Sequence, residues 1–394
     1  MGFEIFGREE LANLEQVIES QQAWRGLEEG NFCSRFEDAF GQHVGRRYVL
    51  AVNSGTSANE TALAACGVGP GDEVIVPPCS FIASSLAPVA LGAVPVFADV
   101  DPRNLILTPE AVEAAVTPKA KAVVVVHLWG IPAQIEPIVA VARRHGLAVV
   151  EDCAQAYDAY SGGRMVGTFG DVACYSLQQS KHITCGEGGI VTTDDPEAYA
   201  RAYLYSNCGM PWYRYGVDRP RPSEVAGIPT RGHFAFGHNY RMSELQAAVA
   251  LAQLGKIDAL NARRAQIVQA IEEEIKGVPG LLPAYSYPDT KVNHWAYPAR
   301  LDPEQTDLTT ADIGIGRYNE LNYLESVYQR MQRERRTSVG IPLPDYVSYE
   351  PGICPQAEAG ARRLAVLMTH PASEIDEVRA QARQIAEKVR RAVG

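Results

Sequence analysis

Residues 176–189 read SLQQSKHITCGEGG and place Lys181 between the end of a predicted buried strand and a glycine-rich turn. A lysine that forms a Schiff base with an aldehyde needs such a setting, because its amine must have a lowered pKa and must be reachable by a cofactor and a substrate. A surface lysine is the alternative, and it is the more common one when this segment is considered alone.

The strand before Lys181 is one of several short apolar runs in the first half of the chain. Several of these runs are continuously apolar, which is typical of strands buried on both faces. Helical patterns such as Ser57–Cys66 and Ile135–His145 lie between them. The sequence therefore predicts an α/β fold with a mostly parallel seven-stranded sheet flanked by helices. The predicted strands are Tyr48–Val52, Glu73–Pro77, Val94–Phe97, Lys121–Val126, Leu147–Glu151, Val172–Ser176 and Gly189–Thr193.

The pattern changes after Asn239. A helical stripe of apolar residues begins at Met242 and continues into a long charged helix, and a second amphipathic pattern closes the chain from Ile375 to Val389. We therefore predict a large domain at residues 1–250 and a smaller α+β domain at residues 251–394.

Polar residues follow the first strand where it leads into a helix. Gly55 allows a tight turn there, and the amides and hydroxyls of Thr56 and Ser57 stand at a helix N-terminus. Such an arrangement can bind a phosphate. A helix cap without any ligand is the alternative.

An acidic residue, Asp152, follows the fifth strand. A carboxylate at that position could hold the protonated ring nitrogen of a pyridoxal cofactor, whose ring acts as an electron sink. A simple helix cap is again the alternative. The neighbouring Cys153 is better explained as a small core residue than as a nucleophile.

These three features occur in the order of a fold-type I pyridoxal enzyme: a phosphate turn, an acid and, 29 residues after Asp152, the lysine. Over nearly its whole length the chain resembles the sugar aminotransferases of the DegT/DnrJ/StrS type, and residues 181–189 are the most specific part of the match. The matching stretches are Asn53–Asn59, Gly71–Pro78, Glu151–Gln155, Tyr175–Thr193 and Gly237–Ala248.

The resemblance implies that Lys181 is the covalent anchor of pyridoxal 5'-phosphate and that Asp152 pairs with the ring nitrogen. It also implies that Asn239 reaches a phosphate in a neighbouring subunit, so that the enzyme is a homodimer with shared active sites. The other implied cofactor contacts are Gly55, Thr56, Ser57 and Ser176 at the phosphate, Phe81 stacked on the ring, and Gln155 beside the ring hydroxyl or the Asp152 carboxylate.

The reaction that the resemblance implies is amino transfer from glutamate or glutamine to a small keto-sugar or keto-cyclitol, in amino-sugar, aminocyclitol or natural-product biosynthesis. The run Gln178-Gln179-Ser180 is more similar to the cyclitol and aminohydroxybenzoate branch than to the nucleotide-sugar branch. The alternatives are a nucleotide-linked keto-deoxysugar aminotransferase, a sugar dehydratase of the same fold and a non-catalytic cofactor-binding regulator. Dehydratases of this type carry His in place of the lysine, and the spacing to the glycine-rich turn aligns Lys181, not His182, with the anchor.

The amino-acid composition limits the kinds of partner that this protein is expected to bind. With 36 Lys and Arg against 47 Asp and Glu, the net charge of −11 argues against nucleic acid, which needs clustered basic residues. No apolar run could span a bilayer, and charges from Glu4 to Glu10 leave no room for an export signal. The eight cysteines form no CxxC pair and the eight histidines show no metal spacing. We therefore expect a cytoplasmic protein with reduced thiols and no metal.

Overall fold

The structure, a computed structural model, describes residues 3–25, 30–211, 221–314 and 320–393. The helices are α1 Arg8–Ser20, α2 Phe32–Val44, α3 Gly55–Ala65, α4 Ala83–Ala90, α5 Pro109–Ala114, α6 Ile135–Arg144, α7 Pro196–Ser206, α8 Pro222–Val225, α9 Glu244–Leu254, α10 Ile257–Ile275, α11 Ser326–Glu334, α12 Pro355–Ala361 and α13 Ile375–Val393. The strands are β1 Tyr48–Val52, β2 Glu73–Val76, β3 Val94–Phe97, β4 Ala120–Val126, β5 Ala148–Asp152, β6 Tyr160–Ser161, β7 Arg164–Met165, β8 Val172–Ser176, β9 Gly189–Thr193, β10 Leu281–Leu282, β11 Thr290–Lys291, β12 Ala296–Leu301 and β13 Leu364–Met368.

Seven strands form the central sheet in the order β1-β9-β8-β5-β4-β2-β3. Strand β9 is antiparallel to both of its neighbours, whereas the other adjacent pairs are parallel. The predicted mostly parallel sheet is therefore confirmed, and each predicted strand end lies within one residue of the observed one. The runs of valine in β4 and β5 are buried because helices cover both faces of the sheet.

The parallel strands bring their carboxyl ends to one edge of the sheet. Four connections that carry predicted site residues leave from this edge, after β1, β2, β5 and β8. Ligands of open α/β sheets bind at this edge, so the topology itself gathers the candidate residues.

The helical stripe predicted from Met242 is divided between two helices. Ser243 caps α9, because its Oγ accepts a hydrogen bond from the Gln246 amide at 3.3 Å. Met242 therefore precedes the helix, although it is fully buried. Helix α9 ends at Leu254, and α10 begins at Ile257.

The C-terminal part contains a second sheet, β10-β12-β13, which packs with α10 and α13 around a core of its own between Ile267 and Val389. Buried residues between Leu321 and Leu364, in contrast, belong to the same core as the central sheet. The domain boundary near residue 250 stays a prediction. In the part of the chain that the structure describes, no helix is long and apolar enough to cross a membrane.

Candidate active site

A cavity of about 470 Å³ lies at the carboxyl edge of the central sheet. Seven of the nine predicted site residues line it, although they come from four separate segments of the chain. These seven are Gly55, Thr56, Phe81, Asp152, Gln155, Ser176 and Lys181. The other two, Ser57 and Asn239, lie outside its lining.

Lys181 lies in a tight turn between β8 and β9, where its amide donates a hydrogen bond to the Gln178 carbonyl at 2.9 Å. Burial lowers the pKa of its amine to about 8, against the opposing effect of the Asp152 carboxylate. Its Nζ lies 4.5 Å from the centre of the Trp295 ring. An amine with this pKa is about one-tenth neutral at pH 7, far more than an ordinary lysine, and the neutral form is the nucleophile.

Asp152 ends strand β5 and is buried against polar partners. Its Oδ2 accepts hydrogen bonds from Ser84 Oγ at 2.7 Å and from Asn59 Nδ2 at 3.2 Å, and its Oδ1 accepts one from the Ala154 amide at 3.0 Å. These donors stabilise the charged carboxylate in one orientation. Asp152 and Lys181 line the same cavity, so an anion and an amine can act on one bound molecule there.

The segment after β1 forms the N-terminus of helix α3. Ser54 caps this helix, and Ser57 completes the cap because its Oγ accepts a hydrogen bond from the Ser54 amide at 3.1 Å. The same Oγ donates to Asn53 Oδ1 at 2.7 Å. Ser57 is buried in this turn and supports it, and the phosphate contact that the resemblance gave to its side chain stays a prediction. The cap uses the amides of Ser57 and Ala58. The amides of Gly55 and Thr56 have no acceptor within the helix and can bind an anion.

Gly55 lies so close to the end of β8 that a Cβ atom on it would be 2.7 Å from the Cβ and Oγ atoms of Ser176. Glycine is therefore required at this position by the close approach. The approach brings the helix N-terminus and the Ser176 hydroxyl together at one end of the cavity.

Gly188 and Gly189, which follow Lys181 in the chain, also make close contacts that leave no space for a side chain. A Cβ atom on Gly189 would lie 2.1 Å from the Ser54 carbonyl oxygen, and one on Gly188 would lie 2.6 Å from Cys185 Sγ. The turn that carries Lys181 thus packs directly against the cap of helix α3. This contact is the physical reason for paired glycines at the start of β9.

The two remaining residues of the predicted ring site also face the cavity. Gln155 is buried, and its Oε1 accepts a hydrogen bond from the Trp129 amide at 2.8 Å. Phe81 is 58% exposed, which is unusual for a large aromatic side chain beside a cavity. A flat ligand stacked on it would cover this apolar surface.

Asn239 lies on the surface, where it forms an isolated β-bridge with Asn207. It is not among the residues that line the cavity, and its contact with a neighbouring subunit stays a prediction. His182 is buried on the ring of Tyr157, with Nε2 3.0 Å from the Asn293 carbonyl oxygen, and it does not line the cavity.

Several residues that line the cavity were not among the site residues predicted from the sequence. Asn59 and Ser84 donate hydrogen bonds to Asp152, and Trp295 comes from a segment more than 100 residues after Lys181 in the chain. Gln178 and Ser180 also line the cavity, and the Ser180 amide and hydroxyl both donate to Gln178 Oε1.

One group in the described ranges has the composition of a metal site: His127, Glu151 and Cys153. The Glu151 carboxylate already accepts hydrogen bonds from the amides of Gly167 at 2.7 Å and Gly170 at 2.6 Å. Burial raises the pKa of the Cys153 thiol, which keeps it protonated. The group is therefore explained as a buried hydrogen-bonded pair beside a core cysteine.

The cavity fits pyridoxal phosphate on three independent points. Its phosphate end has two helix amides and a hydroxyl without any side chain at Gly55 to obstruct them. The same lining contains a buried carboxylate held by three donors, and it also contains Lys181. Asn59 Oδ1 is buried beside the carboxylate and makes no hydrogen bond to any described residue, so it can accept one from a ligand.

Comparison with known proteins supports this fit. The family described as the DegT/DnrJ/EryC1/StrS aminotransferase family matches residues 4–389. The spore coat polysaccharide biosynthesis protein SpsC of Bacillus subtilis (strain 168) is 35% identical over 327 residues, which cover 82% of this chain and 81% of that protein. The L-glutamine:2-deoxy-scyllo-inosose aminotransferase of Streptomyces kanamyceticus is 40% identical over 302 residues, covering 74% of this chain and 69% of that one.

Among solved structures, 3-amino-5-hydroxybenzoic acid synthase has the same fold, with a TM-score of 0.81 and 30% sequence identity. The match covers all of this chain and 98% of that one. The central sheet and its edge are therefore those of a fold-type I aminotransferase, as the sequence predicted.

Proposed function

Since the chain belongs to the DegT/DnrJ/EryC1/StrS aminotransferase family, we propose that the cavity is its active site and that Lys181 and Asp152 carry the chemistry there. The protein is a pyridoxal-phosphate-dependent aminotransferase that transfers an amino group to a keto-sugar or keto-cyclitol. The observation that carries the proposed roles is that a buried amine and a buried carboxylate line one cavity with a helix N-terminus.

In this proposal the Gly55 and Thr56 amides and the Ser176 hydroxyl hold the cofactor phosphate. Asp152 holds the protonated ring nitrogen, and Phe81 covers one face of the ring. Gln155 lies beside the ring hydroxyl or the Asp152 carboxylate.

When bound, pyridoxal phosphate supplies an aldehyde that links reversibly to amines and a charged ring that withdraws electrons from the bond to be broken. Lys181 Nζ would hold the cofactor at rest and, when free, would carry the proton between the donor's α-carbon and the cofactor. Its lowered pKa leaves part of the amine neutral for this step. Ser84 and Asn59 keep the Asp152 carboxylate oriented while the proton moves.

We propose an uncharged ring ketone, such as a keto-cyclitol, as the acceptor and glutamine as the donor. Within the described part of the chain, the ionisable side chains that line the cavity are Asp152, Lys181 and Glu187. Two of these three side chains are acidic. The described lining therefore has neither an arginine nor a second lysine that could bind a diphosphate. Gln178 and Ser180 offer neutral hydrogen-bonding groups that suit ring hydroxyls. The name of the 40% identical relative supports the same pair of substrates.

A screen of donors and ketones tests this proposal. Purified enzyme is given glutamine or glutamate together with either an inosose-type cyclitol or a nucleotide-linked keto-deoxysugar, and the aminated product is followed by mass spectrometry. We expect kcat/KM for the cyclitol to be higher by roughly a hundredfold, because the diphosphate of the competing substrate would leave its charge unpaired. A preference for the nucleotide-linked ketone would contradict the acceptor class, whereas failure of both donors to aminate any ketone would contradict the enzyme assignment.

We further propose that the active enzyme is a homodimer in which Asn239 of one subunit completes the site of the other. Asn239 is exposed in the single chain, and the nearby Phe236 is fully exposed and Phe234 is 40% exposed. Apolar side chains of this size are usually covered by a partner surface. A contact around a two-fold axis would bury both copies of this segment and bring Asn239 to a second cavity.

Mixing two impaired variants tests the shared site. We expect Lys181→Ala and Asn239→Ala enzymes each to be weak alone, because each lacks one group in every site. After co-refolding, heterodimers should contain one site with both groups intact, so about a quarter of the parental activity should return. A mixture of Lys181→Ala with Lys291→Ala serves as the control for dilution, since Lys291 is exposed and lies outside the cavity. No recovery by the first mixture, or a monomer by sedimentation, would contradict the shared site.

We also propose a cytoplasmic location. All eight cysteines are free, and five of them are buried. Free thiols in this number suit a reducing compartment.

A further inference from the structure

Arg264, on helix α10, is one of the largest fully buried side chains of the molecule, with 1% of its surface exposed. Among the described residues no carboxylate lies within ion-pair distance of it, and its Nε makes no hydrogen bond. A buried cation without a counter-ion costs free energy, because its desolvation is not offset by an opposite charge. The position therefore needs an explanation other than a simple ion pair.

The guanidinium group binds main-chain carbonyls on two sides. Its Nη2 donates to the carbonyl oxygens of Lys181 at 2.7 Å and Ser180 at 3.1 Å. Its Nη1 donates to the Thr369 carbonyl at 3.1 Å and the Thr369 hydroxyl at 3.3 Å. One planar fork thus connects the turn that carries Lys181 with the end of strand β13.

Trp295 strengthens the same connection. Its Nε1 donates to the Ser180 carbonyl at 2.7 Å, while its ring lies beside Lys181 Nζ. Trp295 directly precedes β12, which pairs with β13. Residues from the C-terminal sheet therefore hold both the main chain and the side chain of the lysine segment.

We propose that Arg264 is a positioning residue for amino transfer: its guanidinium group fixes the main chain of Lys181 against the C-terminal sheet, and its fixed charge acts on the Lys181 amine. This inference rests on the proposed role of Lys181 as the cofactor anchor. Arginine suits the position because its planar fork can donate in two directions. Burial lowers the pKa of the Arg264 guanidinium to about 9, so the group is still mostly charged at neutral pH.

The electrostatic consequence has a definite sign. Burial is the largest cause of the lowered Lys181 pKa, and the Arg264 charge lowers it further, whereas Asp152 and Glu187 raise it. Removing the guanidinium charge should therefore raise the pKa and leave less neutral amine at a given pH.

The test uses full-length Arg264→Gln and Arg264→Lys enzymes, with Arg263→Gln as the matched control. Arg263 is the adjacent arginine and also donates to main-chain carbonyls, at Pro371 and Ser373, but not to the lysine segment. In the cofactor-free proteins, the labelling rate of Lys181 by an amine-reactive reagent is followed against pH by peptide mass spectrometry. In the loaded enzymes, the circular dichroism of the bound cofactor reports how firmly the anchor is held.

For the parent, the labelling midpoint should lie near pH 8. We expect Arg264→Gln to move it upward by about one pH unit. Arg264→Lys should keep the midpoint, because the charge remains, but should weaken the dichroism and lower kcat by about tenfold, because one ammonium group cannot bind both sets of carbonyls. Arg263→Gln should change none of these quantities.

Unchanged labelling and dichroism in Arg264→Gln, with only a loss of thermal stability, would overturn the proposal and leave Arg264 a structural residue. Should Arg264→Gln fail to fold, parental dichroism and kcat in Arg264→Lys would overturn it equally. Borohydride trapping followed by peptide mapping distinguishes a failure of the proposed Lys181 role from a failure of the proposed Arg264 role. A cofactor trapped on a different lysine would refute the role of Lys181 itself, whereas trapping on Lys181 with no effect of the Arg264 variants would refute the positioning role alone.

Discussion

Replacing Lys181 with alanine is expected to lower amino transfer by at least about a thousandfold, because the enzyme then loses both its covalent anchor and the base that moves the α-proton. The substitution removes an amine that lines the cavity but keeps the main-chain amide and carbonyl of residue 181, which make its hydrogen bonds in the turn. Steady-state kinetics with the best donor and ketone, together with borohydride trapping of the cofactor, measure the two losses separately.

A small external amine sharpens this test. If Lys181 acts as a base at the α-carbon, added methylamine should restore part of the half-reaction in Lys181→Ala, with a rate that rises with the concentration of neutral amine. Lys291→Ala should retain parental kinetics, since that exposed lysine lies on strand β11. Parental turnover by Lys181→Ala, or trapping of the cofactor on another lysine, would end the assignment.

Replacing Asp152 with asparagine is expected to slow the donor half-reaction by about a hundredfold to a thousandfold, the range seen when one preorganised electrostatic partner is removed. Asparagine has the same shape but no charge, so it cannot keep the ring nitrogen protonated. Borohydride should still trap the cofactor on Lys181, because the link depends on the amine and not on the carboxylate. Single-turnover rates with glutamine measure the effect.

Ser84→Ala provides the graded comparison for Asp152→Asn. It removes one hydrogen bond of 2.7 Å to the carboxylate but leaves the charge and the other two donors. A loss of about tenfold is expected, in line with one charge-assisted hydrogen bond. An Asp152→Asn enzyme with parental rates, or a Ser84→Ala enzyme more impaired than Asp152→Asn, would contradict the role of the carboxylate.

The fold was predictable because its strands are continuous apolar runs whose ends are marked by polar residues. The valine runs of β4 and β5 illustrate this, since only a strand buried on both faces uses such a sequence. The division of the predicted helix after Met242 was not predictable from periodicity. The spacing of apolar residues alone does not reveal that Ser243 caps helix α9, or that the helical conformation is interrupted between Leu254 and Ile257.

The lining of the cavity was predictable where residues end parallel strands, as Asp152 and Ser176 do. Residues that act through another side chain gave no such signal. In the sequence, Ser84 looks like an ordinary helix residue. Only the structure shows that the turn after β2 brings its hydroxyl into hydrogen-bond contact with Asp152. Arg264 reads as part of a charged surface helix, and only the packing of α10 against the lysine turn shows that it is buried.

The contact between Gly189 and the Ser54 carbonyl sets limits on how this enzyme could be redesigned. A larger residue at Gly189 would displace the cap of helix α3, so mutations at the start of β9 would also disturb the helix N-terminus that lines the cavity. Libraries aimed at new ketones should therefore leave the glycines untouched and vary Gln178 or Ser180, whose side chains line the cavity and are not among the proposed cofactor contacts. Changes at these lining residues can alter which ketones are accepted without altering the residues proposed to bind the cofactor.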